Sequence, residues 1–179
     1  MDPKNRRLYT GHSGQRAVMA ELLHRGCNVA VPEVDVGRDL YAFQDDEEDV
    51  THIQVKTAGN ARPRKTAGCY SAQIDVPLRQ LQEQDIPPLH YAFAMRLKDR
   101  WADYLIISRP RLKNLWSRKG IGTSYTDRNG NALLKLHFSF TPDAVTCGGE
   151  DFQPYRNAWT SLPPLHGMRG QAGTPPPQT

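Results

Sequence analysis

The chain has no apolar run approaching the roughly 18 residues that a bilayer-spanning helix needs, so no membrane role is expected. Its start, MDPKNRRLYT, lacks the apolar stretch of a secretory leader. Cysteine is scarce as well. Cys27, Cys69 and Cys147 are odd in number, widely spaced and without a CxxC pair, which excludes a disulfide framework and argues against a zinc ribbon. A reducing, cytoplasmic setting is the expectation. The six histidines show no metal spacing such as HxxxH, and the Ser, His and Cys residues form no nucleophile elbow or triad order. Gly120-Ile-Gly122 is a lone GxG that lacks a third glycine and reads as a loop. Internal repeats are absent.

What is present fits one domain but not comfortably two, since the chain has 179 residues. Apolar residues make up 38% and charged ones 23%, well short of a disordered composition, so a sizeable core is expected. Lys and Arg exceed Asp and Glu by 23 to 19, and the excess is unevenly placed. Residues 1–50 hold six basic and ten acidic side chains, a net of −4, with a run of five acids from Asp45 to Asp49. Residues 51–128 hold fourteen basic and six acidic, a net of +8. The basic residues cluster at Arg62, Arg64 and Lys65, and again at Arg109, Arg111, Lys113, Arg118 and Lys119. Such runs are ordinarily solvated faces; next to a hydrolytic site they suit phosphate contacts.

Ser13 is a candidate N-cap for a helix from about Gln15 to Arg25, closed by Gly26. Short strands are predicted at Asn28–Pro32, at Asp39–Gln44 and at Val50–Thr57, the last two forming a hairpin with the acidic run at its tip. Residues 58–68 read as a loop. Alternation marks strands at Tyr70–Val76, Tyr91–Leu97 and Leu134–Phe140, and Tyr104–Ile107 is a compact apolar run. Short helices are expected at 77–84, at 110–116 and at 155–162, and residues 109–131 are basic and rich in glycine and turn residues. Trp101, Trp116 and Trp159 are assigned to the core. The folded domain is expected to span 1–162, with a disordered Pro/Gly-rich tail over 163–179. The class is mixed α/β in a single domain.

The chemistry concentrates in the first third. On a helical wheel, Ala17 and Val18 bracket Glu21, which sets a carboxylate on the flank of the face that packs inward. It needs a donor, a metal or a cation, and Arg25 stands four residues on. In the hairpin, Asp39 opens one strand, while His52, Gln54 and Lys56 share one face of the other. Converging there, Asp39, Gln54 and Glu21 can hold Mg²⁺, which prefers oxygen ligands, lowers the pKa of a bound water and neutralises charge on a phosphate. Lys56 can orient that water or stabilise the transition state. His52 reads as a strand-face polar residue, with a phosphate contact as the alternative. Glu33 and Asp35 replace Asp39 as ligands if the strand register differs.

The ordered set resembles the PD-(D/E)XK nuclease superfamily: a helix bearing Glu, a short strand, then a hairpin with Asp on one strand and (E/Q)-x-K on the other. Here it reads Gly14-Gln-Arg-Ala-Val-Met-Ala-Glu21, Gly26-Cys-Asn-Val-Ala-Val-Pro32, Gly37-Arg-Asp39-Leu and Ile53-Gln-Val-Lys56-Thr. The pattern looks closest to intron-encoded homing endonucleases and Holliday-junction resolvases. The resemblance implies a restriction-endonuclease-like core with a mixed central β-sheet flanked by helices. It implies Glu21, Asp39 and Gln54 as metal ligands, Lys56 as the catalytic lysine, Mg²⁺ (or Mn²⁺) as cofactor, and DNA as substrate for an endonuclease acting as a dimer or higher oligomer; residues 109–131 are then the best candidate for a DNA-contacting element. Two positions depart from the pattern. Gln54 replaces the commoner Glu and removes a charge, which leaves a catalytically inactive nuclease-fold DNA-binding module or accessory subunit as the alternative; Arg38 stands where Pro is common.

Overall fold

Alternating side chains decide the best-defined strands of the computed structural model, which describes residues 3–34, 37–44, 50–84, 87–163 and 165. Tyr70, Ala72, Ile74 and Val76 of β4 (Tyr70–Pro77) are buried while Gln73 and Asp75 face water. In β8 (Ala132–Phe140), Leu134, Leu136, Phe138 and Phe140 are buried in the same way. The two strands pair antiparallel from Tyr70–Phe140 to Pro77–Leu133, so their apolar sides coincide. On the outer edge of β8 lie first β7 (Thr123–Thr126) and then β9 (Val145–Cys147), which pairs with β10 (Glu150–Asp151).

A second layer contains β1 (Asn28–Ala30), β2 (Leu40–Phe43), β3 (Thr51–Pro63), β5 (Leu89–Leu97) and β6 (Arg100–Ser108) in the order β1-β2-β3-β5-β6. The β3–β5 pair is parallel and the others antiparallel, so the sheet is mixed. Among the described residues only β3 belongs to both layers: its last residues, Arg62 and Pro63, pair with β4. Helix α1 (Pro3–His24) places Val18 and Leu22 on Leu40, Ile53, Val55, Ala92 and Ile106. The opposite face, with Tyr91, Phe93, Met95, Leu105 and Ile107, packs on the β4–β8 layer, α2 (Leu78–Gln82) and α3 (Arg109–Lys119). Burying one such leucine or phenylalanine contributes about 1.5–3 kcal/mol.

Four expectations change. Helix α1 begins at Pro3, so Ser13 is interior and its hydroxyl donates to the Thr10 carbonyl at 2.9 Å instead of capping. Gly14 lies where α1 docks on β3: a Cβ there would lie 1.9 Å from Thr57 Oγ1, whereas Gly11 faces open space. The expected loop at 58–68 is largely strand. β3 runs to Pro63 through an irregularity between Ala58 and Ala61, and Gly59 leaves room for the methyl of Thr10, 2.2 Å from where a Cβ would stand. Strands β7, β9 and β10 were not anticipated, and the last helix is instead two 3-10 turns, Gln153–Tyr155 and Trp159–Ser161. Finally, Leu165 is buried beside Leu162 and Trp159, so packed structure passes the expected limit at 162. The acidic tip at 45–49 and, apart from Pro163 and Leu165, the proposed tail lie outside the described residues. All three tryptophans pack in or against the core as expected.

Candidate functional site

The site begins where β2 parts from β3. Leu40 stands opposite Ile53, and one residue earlier the Asp39 N–H still donates to the Ile53 carbonyl at 2.9 Å. Beyond that point the Val55 N–H turns to the Asp39 side chain and donates to Oδ2 at 2.7 Å. The carboxylate thus takes the place of the next backbone acceptor, which fixes its position relative to β3. Gln54 Nε2 donates to the same oxygen at 2.5 Å.

Gln54 is 4% exposed, and a buried carboxamide needs partners at both ends. Its Oε1 accepts from Gln80 Nε2 of α2 at 2.7 Å, and that nitrogen also donates to the Gly37 carbonyl at 2.7 Å. Gly37 has φ +79°, a turn that brings its carbonyl under Gln80 ahead of Asp39. From the helix side, Gln15 Nε2 donates to the Asp39 carbonyl at 2.8 Å. Three glutamines from three elements therefore hold one aspartate loop. Gln80 Oε1 is buried without a hydrogen-bond partner among the described residues.

Lys56 follows Gln54 on the same face of β3, about 7 Å along the strand, and is half-buried. His52 precedes Gln54 on that face and sits edge-on to Tyr41 with ring centroids 4.9 Å apart. Burial and the nearby Arg38 guanidinium lower its pKa from the ordinary 6.5, so it is neutral at pH 7.

Glu21 does not join this group. It pairs with Arg25 at 2.5 Å, and the Arg25 guanidinium lies 4.9 Å from the centre of the Trp159 ring. Trp159 packs on Tyr104 of β6, whose pKa is pushed up to about 12 by burial and then by the Glu21 charge, against the opposing effect of Arg25. β6 is three strand spacings from β2, about 14 Å across the sheet. Six residues of helix also separate Glu21 from Gln15, about 9 Å along the axis and 240° around it. The wheel was right that Glu21 flanks the packed face, and Arg25 is what answers it. Glu33 is exposed, Asp35 lies outside the described residues, and the Leu40–Ile53 register favours Asp39 over both.

The two basic clusters differ. Arg62, Arg64 and Lys65 are exposed at the end of β3, with Arg64 donating to Ser139 Oγ at 2.9 Å. On α3, Arg109 is 3% exposed and donates to the carbonyls of Gln80 and Gln84, with Glu83 at 3.4 Å. It joins α3 to α2 and is withdrawn from any surface. Arg111 donates to the Tyr155 hydroxyl at 2.7 Å, Lys113 reaches the Gln82 carbonyl at 3.4 Å, Lys119 lies 3.8 Å from Glu150, and Arg118 is exposed.

Among the described residues, no three of His, Cys, Asp and Glu converge as a metal-holding group. The oxygen-bearing groups at the site are one carboxylate and one carboxamide, which suits Mg²⁺, an ion that keeps several waters and uses one or two carboxylates plus substrate phosphate. Sequence reasoning missed Gln15 and Gln80. Gln15 had one signal, its place beside Gly14 at the close approach of α1 to β3; Gln80 had none.

The class these elements define is a single α/β domain on a large mixed sheet flanked by helices. A bacterial homing endonuclease, I-Ssp6803I, has a similar fold, with a TM-score of 0.52 and 18% identity over 85% of this chain and 87% of that one. No family profile and no curated protein matches the chain. No helix among the described residues is long and apolar enough to cross a membrane.

Proposed function

We propose that the chain is a divalent-metal-dependent DNA endonuclease of the PD-(D/E)XK kind, with Asp39 and Gln54 as ligands of Mg²⁺ or Mn²⁺ and Lys56 as the catalytic lysine. The observation that carries this reading is the contact of Gln54 with Asp39 at the parting of β2 and β3, with Lys56 next on the same face. The fold it shares with a homing endonuclease supports it. When bound, the metal supplies an activated water and charge neutralisation at the phosphate.

The chain's own residues do the rest. The Val55 N–H orients the Asp39 carboxylate, and Gln15 fixes the backbone that carries it. Gln54 turns its nitrogen to Asp39, so service as an oxygen ligand requires rotation of the amide by half a turn. Gln80 can follow: its partnerless Oε1 then accepts from the turned Gln54 nitrogen, at the cost of the Gly37 bond. Lys56 holds the phosphate or the attacking water, and the exposed Arg62, Arg64 and Lys65 contact the DNA backbone. Glu21 is left out of this proposed ligand set because of its pairing with Arg25. Cutting both strands with one site per chain calls for two copies.

The test is cleavage of supercoiled, linear and single-stranded DNA with Mg²⁺ or Mn²⁺. Activity that is abolished by chelation and by Lys56→Ala supports the reading; no metal-dependent cleavage of any form defeats it. A second reading, a nuclease-fold DNA-binding module without turnover, is favoured by the neutral Gln54 and its nitrogen-inward orientation. It calls for salt-dependent DNA binding that Asp39→Ala alters only through its charge.

A further inference from the structure

The face of β4 and β8 turned away from the core is polar from Ser71 to Asp75 and from Lys135 to Ser139, with the apolar pair Pro77–Leu133 at its far end. Register places Ser71 opposite Ser139, Gln73 opposite His137 and Asp75 opposite Lys135, and Arg62 of β3 opposite Ser71. Arg62, Arg64, Gln73 and His137 line a cleft of about 180 Å³ floored by Ser71 and Ser139. Gln73, His137 and Arg62 are exposed, while Arg64 lies across the end of the cleft on Ser139. The three pairs nearest Arg62 are all polar, and the apolar Pro77–Leu133 pair lies at the opposite end. The charge is positive: Arg62, Arg64 and Lys135 against Asp75.

We infer that this face is a sequence-reading surface that enters the major groove of duplex DNA, with Gln73 and His137 at base edges and Arg62 and Arg64 at phosphates. This rests on the endonuclease reading and deepens it. A pair of antiparallel strands fits the major groove, which is about 12 Å wide. Among the described residues β4 meets β3 only at Arg62 and Pro63 along its other edge, so β4 forms the margin of its layer, with β8 between it and β7 and β9. Neighbouring side chains on one strand face are about 7 Å apart, close to two base-pair steps of about 3.4 Å each. Gln carries a donor and an acceptor that match adenine, and the His ring nitrogens are suited to hydrogen bonds with base edges. Arg62 is six residues beyond Lys56 on β3, about 20 Å at most along the strand. One duplex can therefore reach both places within about six base pairs.

The experiment selects the sequences preferred by the full chain from a pool of random duplexes, with Ca²⁺ in place of Mg²⁺. It then compares affinity for a selected duplex with affinity for the random pool. For Gln73→Ala/His137→Ala, the ratio of the two affinities falls by about tenfold or more, the loss of one to two good base contacts. Arg62→Ala weakens binding to both DNAs together and lowers the salt slope by about one. Circular dichroism confirms that the variants, changed only at exposed positions, remain folded. An unchanged preference in the double variant, or no preference in the wild type, overturns the inference. Metal-dependent cleavage by the wild type decides the endonuclease reading separately: a chain that cuts DNA but reads it elsewhere loses only this inference.

Discussion

Asp39 and Asp103 each collect several donors, yet their surroundings oppose one another. Asp103 of β6 is 5% exposed and receives the Tyr70 hydroxyl, Arg156 Nε at 2.7 Å and Arg156 Nη2 at 3.3 Å. Arg156 continues to the carbonyls of Thr141 and Pro142, so it ties β6 to the segment after β8, and Asp103 adds β4 through Tyr70. The pairing raises the Arg156 pKa further, and burial together with Asp103 pushes the Tyr70 hydroxyl well above its ordinary value. That cluster is complete. At Asp39, by contrast, amide donors from Val55 and Gln54 orient a half-buried carboxylate at a sheet margin. Amides fix its direction. The first arrangement builds structure, and the second suits the binding of something positive.

Removing one carboxylate at a time breaks the comparison most directly. Asp103→Ala leaves a half-buried guanidinium and a buried phenol short of an acceptor, and is expected to cost about 3 kcal/mol of stability, read as a lowered urea midpoint. Asp39→Ala is expected to cost about 1–3 kcal/mol, the loss of partners for Val55 N–H and Gln54. The same variant lowers metal-dependent cleavage at least a hundredfold, about 2.7 kcal/mol at the transition state. If Asp103→Ala unfolds nothing, or Asp39→Ala keeps full cleavage, the two sites are not distinguished as argued.

Gln80 sharpens the same contrast, since it acts on Gln54 and not on the metal. Gln80→Ala is expected to weaken Mn²⁺ affinity, measured calorimetrically without DNA, by about tenfold, the scale of losing a group that orients a ligand. Gln80→Glu restores an acceptor for the turned Gln54 amide and recovers part of that affinity. Equal affinities in all three proteins remove Gln80 from the site.

How far the sequence discloses these features depends on their range. Asp39, Gln54 and Lys56 are legible because the period-2 pattern of a hairpin brings them together over seventeen positions. Gln80 comes from a helix that no hairpin register reaches, and a lone Gln in a polar helix has no pattern. The continuation of β3 to Pro63 is hidden for a related reason: Gly59 looks like a turn residue until α1 is seen against it. Asp103 is obscured by its neighbours, since an acid in the run from Trp101 to Ile107 discloses no partner until Arg156 folds back.

His52 adds a smaller, pH-dependent effect on the same face of β3. Its folded pKa is lowered by burial and Arg38, so its contribution to stability is whole above the unfolded value of 6.5 and is lost as pH falls through the folded value. Stability of the wild type therefore declines on acidification, and His52→Gln flattens that part of the decline. A ring-proton titration midpoint below 6.5 checks the direction; a midpoint at or above it refutes the buried, neutral assignment.

The smallest effect is the most discriminating for the site's composition. Glu21 is an i,i+4 partner of Arg25 with 35% of its side chain exposed, and pairs of that kind contribute about 0.3–0.5 kcal/mol. Glu21→Gln keeps the shape, and Arg25 retains its bond to the Glu21 carbonyl and its stacking on Trp159. Stability should move by no more than that, the Tyr104 pKa should fall from about 12, and Mn²⁺ affinity and cleavage should be unchanged. The family pattern assigns the helix carboxylate to the metal, so it requires the opposite for both. A loss of metal affinity in Glu21→Gln would return Glu21 to the ligand set and overturn the separation argued from Arg25.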